Sequence, residues 1–375
     1  MEERLRRLVE AYSPQNRARW LAEWKAQGGK VVGSLCSYVP EEVVAAAGML
    51  CWRIPGVWQE SIPLTKAYYP QDSCSFAMRV VELMLSGALD SLDFVVTTDW
   101  SDDTRRLHDI WLSLGKAPAE LLHVPHQDSE LAYQAFAKEI ARFAHRLEEL
   151  AGVKIGEEAL RESIASHNEM RAMLGKLYEL RKRALPPVTG AEVVGITTAA
   201  MVMPKRAFSA ELAALLPYLA ERKPPLQTSS PRLMVSSDKL DDPRYVALIE
   251  QVGCVVAMDD LDTGSRYFWQ AVDSSPADPF YALAKRYVSR PACPRMYAWD
   301  RQAAQAIAWA KEFAIDGVVE LPVMHSRPRE GRVAFFRDRL QQAGIPIMSF
   351  RREYHLANVG QLKTRIGAFV ETLQR

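Results

Sequence analysis

Cysteine is scarce, with five among 375 residues. None form a CxxC pair, which argues against a self-sufficient zinc knuckle or a four-cysteine ferredoxin site. An odd, scattered set in a long chain also argues against a disulfide scaffold and for a reducing, cytoplasmic setting. No apolar run approaches the roughly 18 to 20 residues that a membrane helix needs. The opening stretch, MEERLRRLVEAYSPQNRARW, is charged and helical and lacks the apolar centre of a secretory signal. Neither sign of charge dominates, since 47 Lys and Arg face 46 Asp and Glu. No electrostatic footprint for nucleic acid or an anionic membrane is therefore expected.

What is present is an ordinary globular composition, 48% apolar and 25% charged. At this length a sizeable core and two or three domains are expected. Short apolar runs alternate with longer helical patterns. KVVGSLCSYV, CWRIPG, DFVVTT and ELLHVPH read as four strands, and PRLMVSS, CVVAMDD, GVVELPV and IPIMSF as four more. Between them lie amphipathic stretches such as SFAMRVVELMLSGAL, weakened or ended at Gly87, and DDTRRLHDIWLSLG, closed by Gly115. The middle differs. GEEALRESIASHNEMRAMLGKLYELRKR reads as one long charged helix broken at Pro186 and Pro187, a second helix carries SAELAALLPYLAERK, and KPPLQTSSP reads as a linker.

Continuous apolar strands separated by helices imply parallel sheets covered on both faces. The expected fold is α/β, with two four-stranded parallel-sheet domains of Rossmann or flavodoxin-like type. Residues 1–30 form an N-terminal helical segment, 31–152 the first α/β domain, 153–229 a helical connecting region and linker, and 230–375 the second α/β domain.

Such sheets gather ligands at the carboxyl ends of their strands. In the first domain the rim loops are SLCSYVPEE, YYPQDSCS, TTDWSDD and VPHQD; in the second they are SSDKLDDP, MDDLDTGSRYFW, PVMHSRPREG and FRREYHLANVG. Ser37 and Tyr38 precede a helix start whose free N–H groups could receive a thioester carbonyl or a phosphate, or could simply be capped. Glu41 suits the first turn of that helix. Asp99, Asp102 and Asp103 are candidates for acid–base or metal work, although Asp102 or Asp103 also fits a helix cap. His325 abuts Ser326 and is the best lone candidate for proton transfer. Cys51, Cys254 and Cys293 read as structural, and His108 and His145 as ordinary helix residues.

These loops resemble those of the 2-hydroxyacyl-CoA dehydratase and benzoyl-CoA reductase family. CSYVPEEVVAAAGMLCWRIPG, SDDTRRLHDIW, VPHQDSELAYQAFAKEIARF, LYELRKRALPPVTGAE, DDLDTGSRYFWQAVD, CPRM and NVGQLKTRIGAFVETL follow in family order. The resemblance implies a pair of related subunits, a heterodimer or, for a lone chain, a homodimer. It also implies a [4Fe-4S] cluster near a CoA thioester and an ATP-dependent iron–sulfur activator that supplies electrons for ketyl-radical chemistry. The cluster is usually held by three cysteines. One position matches Cys74, with Cys36 beside it as a weaker candidate. The other two are occupied here by Ser101 and by Ser326, in Ser326-Arg327-Pro328 where Cys-Asp-Pro is expected. A hydroxyl is a poor substitute for a soft thiolate, so a working cluster is expected in the partner subunit. The loop DTGSRYFW lies near the site in this family. Ser265 and Arg266 are therefore candidate substrate contacts, with Arg266 able to meet a CoA phosphate and Tyr267–Trp269 a candidate interface anchor. Two other readings follow from the exchanged serines. One is a cluster-free accessory or CoA-ester-binding paralogue; the other is cluster-free chemistry by Ser101, His325 and Ser326.

Overall fold

The computed structural model describes residues 1–114, 116–226 and 231–374. The helix stop at Gly115 and residues 227–230 of the expected linker lie outside the described residues. Eight strands form two sheets. The first contains β1 (Val31–Ser34), β2 (Leu50–Arg53), β3 (Phe94–Thr98) and β4 (Ala119–Leu122). The second contains β5 (Arg232–Ser236), β6 (Val255–Asp260), β7 (Gly317–Glu320) and β8 (Ile347–Ser349). The orders are β2-β1-β3-β4 and β6-β5-β7-β8, and every pairing is parallel. The α/β fold with two four-stranded parallel sheets is thus the one the apolar runs imply.

The burial of the strands follows from their composition. β1, β2, β3, β5, β6 and β7 are buried at every position, as strands covered on both faces must be. The edge strands β4 and β8 are only partly buried. The opposite edge, β2, is covered by the chain after the helix Gly190–Ala199, where Arg53 N–H donates to Met201 O at 3.1 Å. One apolar cluster runs from Leu5 and Leu50 through Met170 and Phe208 to Met234 and Val318, so the middle helices join both sheets into one core. Among the described residues, no helix is long and apolar enough to cross a membrane.

Among the described residues, two helices of at least ten residues lie where the sequence reading placed none. Gly190–Ala199 starts at a capping box, in which Thr189 Oγ1 accepts from Glu192 N at 3.0 Å and Glu192 Oε2 accepts from Thr189 N at 2.8 Å. Trp299–Glu312 precedes β7.

In each sheet the strand order reverses between two central strands, β1 and β3 in the first and β5 and β7 in the second. That reversal opens a crevice at their carboxyl ends. The two crevices face each other. Lys239 Nζ, after β5, donates to Leu35 O, after β1, at 3.0 Å. Ser75 N donates to Met324 O at 3.3 Å, and Tyr354 N donates to Ser75 Oγ at 3.0 Å. Gly56 N donates to the Tyr354 hydroxyl at 2.9 Å, and a Cβ at Gly56 would collide with that ring.

Candidate active site between the two sheets

The loop after β1 enters the interface with its polar groups turned inward. Ser37 Oγ accepts from Arg290 Nη2 at 2.9 Å rather than capping the helix Glu41–Ala46, which has no side-chain cap. Tyr38 is fully buried. Its ring lies 4.0 Å from the Arg290 guanidinium and meets Trp100 edge-on at 4.4 Å. Burial pushes the Tyr38 hydroxyl up to about 12. Glu41 is buried too, bound by Lys205 at 2.7 Å and by the Tyr267 hydroxyl at 2.8 Å. It therefore anchors the helix to the second domain rather than facing a ligand as a free carboxylate.

The acids after β3 have distinct structural partners. Asp99 ties β3 to the end of β4, accepting from Val124 N at 3.0 Å and contacting His123 Nδ1 at 3.1 Å. Trp100 stacks on His126 at 5.5 Å. Ser101, not Asp102 or Asp103, caps the helix Asp102–Ser113. Its Oγ accepts from Thr104 N at 3.4 Å while Thr104 Oγ1 accepts from Ser101 N at 3.0 Å. Asp103 reaches sideways and accepts from Cys74 N at 3.3 Å. Burial raises its carboxyl.

Cys74 stands just before the helix Ser75–Leu85 and is 5% exposed. Burial, and after it the Asp238 and Asp103 carboxylates, push its thiol up to about 12. Asp238 follows β5 and accepts a hydrogen bond from the Ser326 hydroxyl and another from Val323 N at 3.3 Å. Ser326 and Asp238 are 1% and 2% exposed. His325, next door, is half-buried and takes a left-handed φ of 61° that turns the chain into this contact.

Ser265 and Arg266 face the interior. Ser265 donates from N to Asp259 Oδ1 at 2.8 Å and from Oγ to Asp259 O at 2.6 Å. A Cβ at Gly264 would strike that same carboxylate. Arg266 donates to Asp260 O and Ser237 O, both at 2.7 Å, and pairs with the Asp260 carboxylate. Its fork is spent inside the protein, so it presents no free face to a CoA phosphate. Tyr267 and Phe268 are likewise buried, and Trp269 packs on Trp309 at 5.1 Å. That run anchors this chain's own core.

The space open to a ligand lies beside these groups. A cleft of about 710 Å³ is walled by Trp100, Ser101, Asp103 and His126 on the β3 side and by Arg327 and Pro328 on the β7 side. Arg105 and Arg106 line it as well, and these two and Arg327 are exposed. Its size is that of a small-molecule site.

The donor set does not suit a conventional [4Fe-4S] cluster. Of the three expected ligand positions, only Cys74 carries a thiol. The Ser101 hydroxyl is engaged in a helix cap and the Ser326 hydroxyl in Asp238. Cys36 is buried, and among the described residues no group of three His, Cys, Asp or Glu side chains could hold a metal ion. Asp238 and Arg290 were not singled out from sequence. Asp238 is one acid among several in SSDKLDDP, and only the β5–β7 neighbourhood distinguishes it.

Fold and rim together define an α/β protein with paired parallel sheets and a small-molecule cleft between their carboxyl ends. The model of the 2-hydroxyglutaryl-CoA dehydratase D-component family matches residues 36–373, and the chain belongs to that family. Its relatives include the putative dehydratase subunit YjiM of Escherichia coli K12, 26% identical over 93% of both chains. The beta subunit of (R)-phenyllactyl-CoA dehydratase of Clostridium sporogenes is 25% identical over 92% of both. A benzoyl-CoA reductase subunit of Thauera aromatica is 24% identical, over 94% of this chain and 93% of that one.

Proposed function

We propose that this chain is one subunit of a 2-hydroxyacyl-CoA dehydratase- or benzoyl-CoA reductase-like enzyme, acting on a CoA thioester by one-electron, ketyl-type chemistry. The observation that carries the reading is the coincidence of the family match with a cleft of about 710 Å³ at the rim where such sheets bind ligands. Exposed Arg105, Arg106 and Arg327 give that cleft cations suited to CoA phosphates. Trp100 walls it and rests on the buried Tyr38, next to Ser37, and His325, beside Ser326, is the candidate for proton transfer. The redox centre belongs to a related partner subunit, charged by an ATP-dependent iron–sulfur activator. No step is assigned to metal in this chain.

The test is co-production with the candidate partner and activator under anaerobic conditions, followed by turnover of acyl-CoA substrates. The reading requires turnover that depends on this chain, with Arg105→Ala and Arg327→Ala raising KM more than they lower kcat. Undiminished turnover by the partner alone would overturn it. A second reading, a cluster-free accessory or CoA-ester-binding paralogue, draws support from the engaged hydroxyl of Ser326. It requires CoA-ester binding by this chain together with turnover that does not need it.

A further inference from the structure

Behind the cleft, the second domain holds a cluster of buried arginines. Arg266, Arg290, Arg329 and Arg332 are each at most 1% exposed, as are Asp260 and Glu320. With Asp262, 5% exposed and also acting on Arg266, four guanidiniums meet three carboxylates within one connected set. Arg290 donates to Arg266 O at 2.6 Å, Arg266 pairs with Asp260, and Arg329 pairs with Glu320 at 2.8 Å and approaches Asp260 at 3.7 Å. Arg329 and Arg332 both lie over the Phe336 ring, at 5.2 and 5.4 Å.

Arg332 is the surplus member. It is fully buried, and none of its three nitrogens has a hydrogen-bond partner among the described residues. Asp260 and Glu320 are near enough to favour its charge, but a buried guanidinium that makes no hydrogen bond still carries its desolvation cost. Ser326 and Arg327, at the exchanged cluster position, lie a few residues upstream in the same segment.

We propose that the buried Arg332, with Arg329 beside it, receives a small oxyanion, a carboxylate or a phosphate, that balances the surplus charge of this cluster. A guanidinium presents a planar fork that matches either group in a two-pronged contact. The state of the side chain agrees. Burial, and then the Arg329 guanidinium, pull Arg332 down to about 9, so its charged form is held at a cost that an arriving anion would relieve. Among the described residues, Gln302 Oε1 and both Glu320 oxygens in the same region also lack hydrogen-bond partners, so water bridging Arg332 to Glu320 is the competing occupant.

The inference does not depend on the CoA reading. The experiment follows thermal unfolding of the full chain against inorganic phosphate, a free short dicarboxylate and CoA, each at constant ionic strength set with chloride. The expected result is a saturable rise in Tm with at least one of the three. Arg332→Met should move its midpoint at least tenfold higher, whereas Arg337→Ala, exposed and outside the cleft, should leave it in place. Response to CoA alone, abolished by Arg332→Met, sustains the site with CoA as the source of the phosphate. Response to CoA alone, abolished by Arg327→Ala and kept by Arg332→Met, supports the cleft and overturns the buried site. A wild-type chain with no saturable response to any of the three also overturns it, and that arm needs no variant to fold.

Discussion

Replacing Ser326 with alanine tests whether this hydroxyl is a structural donor. Its Oγ–H donates to Asp238, and at 1% and 2% exposure neither residue can turn to water for a substitute. The variant would leave that buried carboxylate with Val323 N at 3.3 Å as its remaining donor among the described residues. A hydrogen bond to a charged acceptor contributes about 1.5–3 kcal/mol, and the orphaned group adds its desolvation cost. Ser326→Ala should therefore lose about 2–3 kcal/mol in urea unfolding, with an unchanged m value. Ser326→Cys should lose less than alanine does, because a thiol still donates, though weakly. Pairing Ser326→Ala with Asp238→Asn in a double-mutant cycle should return a coupling of at least about 1 kcal/mol. A Ser326→Ala chain within about 0.5 kcal/mol of wild type, inside the range of an ordinary surface change, would refute the argument.

Ser101→Ala removes a helix cap and should cost about 1 kcal/mol in the same assay; a neutral result would mean that the cap is not holding the rim. Glu250 is 6% exposed and accepts from Gly190 N at 2.7 Å and Ala191 N at 3.3 Å, yet burial outweighs these donors and pushes its carboxyl up from 4.5 to about 7. A carboxyl raised on folding contributes stability that is full below 4.5 and lost as pH rises through about 7. At about 1.4 kcal/mol per pH unit the loss is about 3 kcal/mol, and Glu250→Gln should flatten that part of the stability profile. An equal slope in both proteins would remove Glu250 as its source. Glu42→Ala strands the buried Arg171 guanidinium and should cost about 3–5 kcal/mol; a loss below about 1 kcal/mol would show that the pair is not holding the helix Glu41–Ala46 to the helix Glu157–Leu180.

All eight strands were legible because their apolar runs are short, continuous and bounded by turn residues. The helix Gly190–Ala199 was not, since eight of its ten residues are buried and it has almost no polar face to set a period. Its Thr189–Glu192 capping box was the signal available. The rim loops followed from the strand pattern, but their inner wiring did not. Asp102 and Asp103 looked like caps, and the cap proved to be the serine before them. Arg266 looked like an exposed phosphate ligand, and its partner Asp260 is also buried. Asp238 gained its meaning only once β5 and β7 were adjacent. Periodicity records which residues are buried; it does not record which buried charges meet.

The central claim is that this family member provides a subunit and a binding rim but not a conventional cluster of its own. The direct measurement is iron and acid-labile sulfide after anaerobic purification of the chain alone and of the chain with its partner subunit. The account predicts stoichiometric iron and sulfide in the pair and none in the isolated chain. Stoichiometric iron and sulfide in the isolated chain would contradict it.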